Sequence, residues 1–277
     1  MIPASFEYAR AGSAEEALAL LAEHGEDAKI LAGGHSLLPL MKLRLAAPSV
    51  LVDVGRVRDL SYISDAGDHV AVGALTRHHD VQTSAVLQES VPLVSYVAGL
   101  VGDPQVRHRG TIGGSIAHGD SASDLPAAAL ALGASFVIQG PSGTRTVAAT
   151  DFFKGFLETD LAPDELLTEI RLPKMNGAGW SYQKFNRRAQ DWAIVGVAAV
   201  GASAGGGVAL VNMASTPVRA TAVERLVSSG SSAADAAASA ATDLDPPSDL
   251  NASAEFRSHL ATVLVRRALE EVASREG

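Results

Sequence analysis

The sequence predicts an α+β protein in two parts, with a small three-strand, three-helix domain at its C-terminal end. Three observations predict this. At 277 residues the chain is long enough for two domains. Short apolar runs of strand length alternate with amphipathic stretches of helical period throughout. The composition then breaks at Lys174–Gly179 (KMNGAG), a turn-rich stretch of the kind that separates domains. The expected division is residues 1–175, with subdomains of about 1–56 and 57–175, followed by residues 176–277.

Taken in order, Ser13–His24 reads as a helix. Ser13 caps it, Glu16 sits three residues on as in a capping box, and Ala17, Leu18 and Leu21 share a face. Gly25 ends it by taking positive φ. The apolar strand Ala28–Ala32 runs into Gly33-Gly34-His35-Ser36, and Val50–Val54 is a second strand, which makes a small βαβ-type unit. Strands at Ser61–Ser64 and His69–Gly73 flank an Asp-Ala-Gly-Asp turn. Thr76 is expected to cap a helix running through Gln82, on which the adjacent His78 and His79 face different ways toward solvent. Val91–Val101 reads as a buried helix, stopped by Gly102 and Pro104. Leu125–Leu132 is a helix with Pro126 in its first turn. Strands follow at Ala134–Gln139, Arg145–Ala148 and Leu166–Leu172, the last ended by Pro173.

Beyond the linker, Trp180–Phe185, Ala193–Ala202 and Gly207–Met213 read as strands. Val218–Ser229 and Ser231–Ala241 read as helices. A final helix from about Ala252 to Ser274 places Phe256, Leu260, Val263, Leu264 and Ala268 on one face.

Composition narrows the function. A formal net charge of −9 argues against a nucleic-acid partner. The absence of cysteine excludes disulfides, cysteine nucleophiles and cysteine-held iron–sulfur clusters within this chain. No apolar run is long and charge-free enough for a membrane span, and no signal peptide is visible, so a cytoplasmic location is expected. No histidine, carboxylate and cysteine pattern implies a metal site; His108 and His118 lack completing ligands.

Two glycine pairs carry the chemistry. LAGGHSLL spans Leu31–Leu38, and GTIGGSIAHGDSASDL spans Gly110–Leu125. The first is neither a P-loop nor a GxGxxG fingerprint. Each is read as a tight turn whose bunched N–H groups form an anion-binding nest, and two such turns suit a ligand with two phosphates and several hydroxyls. Lys42 and Arg44 follow the first pair, and Arg107, His108 and Arg109 precede the second; they either assist an anion or are solvated surface charges. Asp124 begins a helix, so it is an N-cap, a carboxylate for a ribose or ribityl hydroxyl, or both.

Together AGGHSLLPLMKLRLAAP, HRGTIGGSIAHGDSASDLPAAALALGA and YQKFNRRAQDWAIVGVA resemble the FAD-binding medium subunit of molybdenum hydroxylases. The resemblance is to the carbon-monoxide-dehydrogenase type within the wider xanthine dehydrogenase family, and it covers essentially the whole chain. It implies a two-subdomain PCMH-type FAD-binding domain followed by the family's flavoprotein C-terminal domain. FAD would lie extended between the glycine segments. Leu31, Ala32, Gly33, Gly34, His35, Ser36, Leu37 and Leu38, with Thr111, Ile112, Gly113, Gly114 and Ser115, would cradle its pyrophosphate and sugar chain. Asp124 would bond a flavin hydroxyl, Leu167 and Val101 would lie beside the ring, Lys184 near it, and Trp192 in a covering loop. Two departures stand out: Ser115 replaces the family's common asparagine, and Val101 stands where some relatives stack an aromatic.

The resemblance further implies a small iron–sulfur subunit and a large molybdopterin subunit as partners, in a dimer of heterotrimers. Electrons would pass from the partner clusters to FAD here and on to an external acceptor, with carbon monoxide one candidate substrate of the whole. No catalytic acid, base or nucleophile is expected in this chain. The alternative is a free-standing flavin oxidase or reductase on the same fold, which needs a substrate pocket over the ring.

Overall fold

A computed structural model describes residues 2–276. The first unit comprises β1 (Glu7–Arg10), α1 (Ala14–His24), β2 (Ala28–Leu31), α2 (Leu37–Lys42) and β3 (Val50–Asp53). Its strands are parallel in the order β1-β3-β2. The Ser13 hydroxyl accepts the Glu16 N–H at 3.2 Å and caps α1. The reciprocal bond goes to the Gly12 N–H at 2.7 Å rather than to Ser13, one residue outside the usual capping box. Ala17 and Leu21 of α1 join Val50 and Val52 of β3 in one apolar cluster. Strand β1 is unforeseen because it lies at the edge, exposes nearly every side chain and so shows no alternation.

The second unit holds β4 (Ile63–Asp65), β5 (His69–Gly73), α3 (His78–Thr83), α4 (Ala85–Ser90), α5 (Pro92–Gly99), α6 (Pro104–Arg107), α7 (Ile112–His118) and α8 (Asp124–Leu132). It continues with β6 (Ser135–Gly140), β7 (Gly143–Ala148), α9 (Ala149–Phe152), β8 (Phe153–Gly155), β9 (Glu158–Thr159) and β10 (Leu166–Pro173). The five-stranded antiparallel sheet runs β4-β5-β10-β6-β7, so the last strand is inserted at its centre. A bulge at Thr168 breaks the β10–β6 register, and the freed Thr168 carbonyl accepts the Ala74 N–H at 2.9 Å.

Several local expectations are corrected here. Thr76 does not cap α3; Arg77 holds that position, and the Thr76 hydroxyl donates to the Tyr62 carbonyl at 3.0 Å. His78 is buried rather than solvated. Pro104 does not merely stop a helix. It opens α6, whose N-cap Asp103 accepts the Val106 N–H at 2.9 Å.

The third unit has β11 (Trp180–Phe185), β12 (Val195–Val200), β13 (Val208–Val211), β14 (Val218–Arg219), α10 (Thr221–Ser228), α11 (Ala233–Ala237) and α12 (Ala254–Glu276). The strands are antiparallel in sequence order. Val218–Arg219 is thus a short fourth strand, not a helix start, and α11 is much shorter than Ser231–Ala241. Every residue of β12 is buried, because α8 covers one side of the sheet and α12 the other. Helix α8 is itself buried at every position, the mark of a helix enclosed on all sides. Its small side chains allow close approach: a Cβ on Gly207 would lie 3.0 Å from Ala131 Cα. The buried face of α12 is Arg257, Leu260, Ala261, Leu264, Val265, Ala268 and Val272. Phe256 turns outward, 43 % exposed, and Val263 is only partly covered. A buried arginine takes the place expected of phenylalanine because two of its guanidinium nitrogens are paired, Nη1 with the Ile194 carbonyl and Nη2 with Asp249.

Candidate cofactor site

Where the three units meet, a cavity of about 900 Å³ opens. Its wall takes Ala32, Gly33, His35, Ser36 and Leu37 from the loop after β2, and Thr111, Gly113, Gly114 and Ser115 from the start of α7. Val101, Asp124, Leu167, Lys184 and Trp192 complete it. Four of the residues expected here stand back from the cavity wall. Leu31 ends β2, and Ile112 is core. Gly34 lies under Leu38, where a Cβ would come within 2.9 Å of Leu38 Cδ1, at φ +77°. The basic residues Lys42, Arg44, Arg107, His108 and Arg109 also lie off the wall. Arg107 instead donates to the Val101 and Gly102 carbonyls at 3.1 and 3.3 Å, and His108 stacks on His79 at 4.1 Å.

The two glycine segments touch. A Cβ on Gly33 would lie 2.8 Å from Gly110 Cα, so only glycine permits this approach. Their donor inventories differ. Among the described residues, the N–H groups of Gly33, Gly34, His35, Ser36 and Leu37 find no protein acceptor. The chain has left β2 and entered the first turn of α2, where amides have no partner inside the helix. Unpaired donors bunched beside a cavity are an anion-binding nest.

The second segment is not such a nest. Gly113 and Gly114 lie in the first turn of α7, with negative φ. The Ile112 and Gly113 N–H groups donate to the Thr76 and Ala74 carbonyls at 3.0 and 2.9 Å. The Gly114 N–H donates to the capping Thr111 hydroxyl at 3.1 Å, and the Ser115 N–H to the Thr111 carbonyl at 3.1 Å. Gly113 is there for packing, since a Cβ would sit 2.5 Å from the Ala74 oxygen. At Gly114 a Cβ would meet only Thr111 Oγ1, at 2.7 Å, and would otherwise fill the cavity.

Asp124 is neither an N-cap nor a free carboxylate. Ser123 holds the cap position, and the Asp124 carboxylate accepts from Lys184 Nζ at 2.8 Å and Tyr182 OH at 2.6 Å. Lys184 also donates to the Leu100 carbonyl at 3.2 Å. Burial pushes the Asp124 carboxyl up from its ordinary range, against the pull of the Lys184 ammonium and the Tyr182 hydroxyl. Burial likewise raises the Tyr182 phenol. A carboxylate has about four lone-pair sites, so Asp124 retains capacity for a hydroxyl donor. Trp192 is 57 % exposed at the cavity mouth. Its loop is pinned by Asn186 Nδ2 on the Arg188 carbonyl at 2.7 Å and by the Arg188–Asp191 pair at 3.0 Å.

Sequence reasoning missed His78, His118 and Lys29, which also line the wall. Helical periodicity gives no sign that His78 faces inward, because its covering comes from Gly110, far along the chain. No cluster of three metal-ligating side chains occurs among the described residues, and no helix there is long and apolar enough to cross a membrane. The unpaired amides, the glycine-only contact and the polar far wall fit FAD, a ligand that needs donors for phosphates and partners for hydroxyls.

Comparison with known proteins agrees. The family described as the FAD binding domain in molybdopterin dehydrogenase matches residues 4–175, and the CO dehydrogenase flavoprotein C-terminal domain matches residues 180–272. The carbon monoxide dehydrogenase medium chain of Hydrogenophaga pseudoflava is 44% identical, over 97% of both chains. The glyceraldehyde dehydrogenase medium chain of Sulfolobus acidocaldarius is 38% identical, over 99% of this chain and all of that one. In a solved structure of reconstituted CO dehydrogenase from Oligotropha carboxidovorans, one chain superposes with a TM-score of 0.95 at 41% identity, covering 99% of this chain and 100% of that one. The chain therefore belongs to the FAD-binding medium subunits of CO dehydrogenase and related molybdenum hydroxylases, and is an oxidoreductase subunit of that family.

Proposed function

We propose that this chain carries electrons within a heteromeric molybdenum hydroxylase, from iron–sulfur clusters on a small subunit to an external acceptor. The observation that carries the reading is the row of unpaired amides at Gly33–Leu37 beside a cavity that reaches Lys184 and Trp192. FAD, when bound, supplies the redox chemistry, and the protein supplies binding, orientation and electrostatics. The Gly33–Leu37 amides grip the pyrophosphate. Ser115 and Asp124 meet sugar hydroxyls. Leu167 and Val101 give the ring apolar walls, Lys184 places a cation near it, and Trp192 shields it from water. Without cysteine the chain cannot hold the clusters itself, which assigns them to a partner.

The relatives are named for carbon monoxide, glyceraldehyde and caffeine dehydrogenation at 35% identity or more. Substrate choice therefore belongs to another subunit, a large molybdopterin chain, and carbon monoxide is one candidate. The assembly is a dimer of heterotrimers in the cytoplasm. Residues 1–175 form the FAD-binding domain, and residues 176–277 the domain that closes the cavity. The test is to purify the full chain with its co-purifying subunits. An oxidised-flavin spectrum, FAD by mass spectrometry and a cysteine-rich partner support the reading. A colourless preparation that refuses added FAD defeats it.

A further inference from the structure

His78 lies on the cavity wall and has no part in the reading above. It opens α3, is 4 % exposed, and its backbone N–H donates to the Gly110 carbonyl at 3.1 Å. The Cδ2–Nε2 edge of the ring abuts Gly110: a Cβ there would be 2.7 Å from His78 Cδ2 and 2.9 Å from Nε2. Gly33 touches the same residue, so the ring and the unpaired amide loop both meet Gly110. Nδ1 is buried with no hydrogen-bond partner. Nε2 makes no hydrogen bond in the protein either, yet is not sealed off as Nδ1 is.

Burial, then the nearby charges of His35, Arg77 and Arg107, push the imidazole down to about 4. At neutral pH the ring is uncharged and carries one proton. A buried orphan N–H is rarer than an underused acceptor, which puts the lone pair on Nδ1 and the proton on Nε2. An N–H at a cavity wall beside an anion nest requires an acceptor. We propose that His78 is a further cofactor ligand, donating Nε2–H to a pyrophosphate oxygen held by the Gly33–Leu37 amides. This rests on the FAD reading.

The experiment titrates the flavin-free full chain, with any co-purifying subunits, with FAD and separately with riboflavin, which has no phosphate. His78→Leu is expected to weaken FAD roughly 10- to 100-fold, the size expected of a hydrogen bond to a charged group, and to leave riboflavin within about twofold. His78→Phe keeps a ring against Gly110 but no N–H, and shows the same loss. His78→Gln, which retains an N–H donor, recovers part of it. Melting of the flavin-free variants establishes that they fold. Unchanged FAD affinity in both His78→Leu and His78→Phe overturns the proposal. Equal losses for FAD and riboflavin also overturn it, making the ring a packing support for Gly110. Should the wild-type protein bind no FAD, the underlying functional reading fails instead.

Discussion

The Asp124–Lys184 pair joins α8 to β11, and so ties the FAD-binding part to the C-terminal sheet. The side chains are 8% and 9% exposed and 2.8 Å apart. Asp124→Asn leaves the Lys184 ammonium buried with only the Leu100 carbonyl as partner. Removing one member of a buried pair costs about 3–5 kcal/mol, chiefly because the other charge stays desolvated. The asparagine oxygen still accepts from Tyr182, which favours the lower end, about 3 kcal/mol. For a chain of this size each kcal/mol moves Tm by about 2–4 °C, so the expected fall is roughly 6–12 °C.

Lys184→Met alone is expected to cost a similar amount, because it strands the carboxylate. The double variant removes both charges, so its loss falls short of the sum, with a coupling of about 2 kcal/mol. Chemical denaturation of the four flavin-free proteins at pH 7, followed by circular dichroism, measures the cycle. Single variants within about 1 kcal/mol of wild type, or an additive double variant, would refute the assignment of a buried, interdependent pair. In that case Asp124 would be a solvated carboxylate whose role is confined to the cofactor.

Two further outcomes follow from the same geometry. Gly114→Val is expected to abolish retention of FAD while lowering flavin-free stability by only about 1–2 kcal/mol, since its branch fills the cavity and disturbs the Thr111 cap. Gly113→Val does the reverse, failing first in stability, because its Cβ meets Ala74 inside the protein; equal flavin content in wild type and Gly114→Val would count against the cradle. His78 titrates near 6.5 when unfolded and near 4 when folded, so below pH 6.5 the unfolded chain binds the extra proton. Flavin-free wild type should therefore lose up to about 3 kcal/mol between pH 6.5 and 4 that His78→Gln does not lose, the penalty being absent above pH 6.5. Parallel stability-versus-pH curves for the two proteins would show that the ring titrates normally.

Much of this molecule was legible along the chain. Helix α1 and its cap, strands β2, β3, β5 and β10, and the linker before β11 follow from local rules: period, capping residues and turn chemistry. Both glycine-rich segments reach the cavity wall. Local reasoning failed where an answer depends on a distant partner. Strand β14 is two residues long and exists only through pairing with β13. On α12 the outward Phe256 and inward Arg257 reverse the hydrophobic rule, because Asp249 and the Ile194 carbonyl are folded against the guanidinium.

By itself, then, the order of residues determined two glycine-rich segments and most of the strands and helices, and the resemblance its motifs carry pointed to FAD. Only the tertiary structure decided that the first segment keeps its amides unpaired while Thr76, Ala74 and Thr111 consume those of the second. It also decided that Asp124 is gripped by Lys184 and Tyr182, and that His78 turns inward to Gly110. The reason is that most buried donors and acceptors must be paired, and the partners that pair them come from residues remote in sequence.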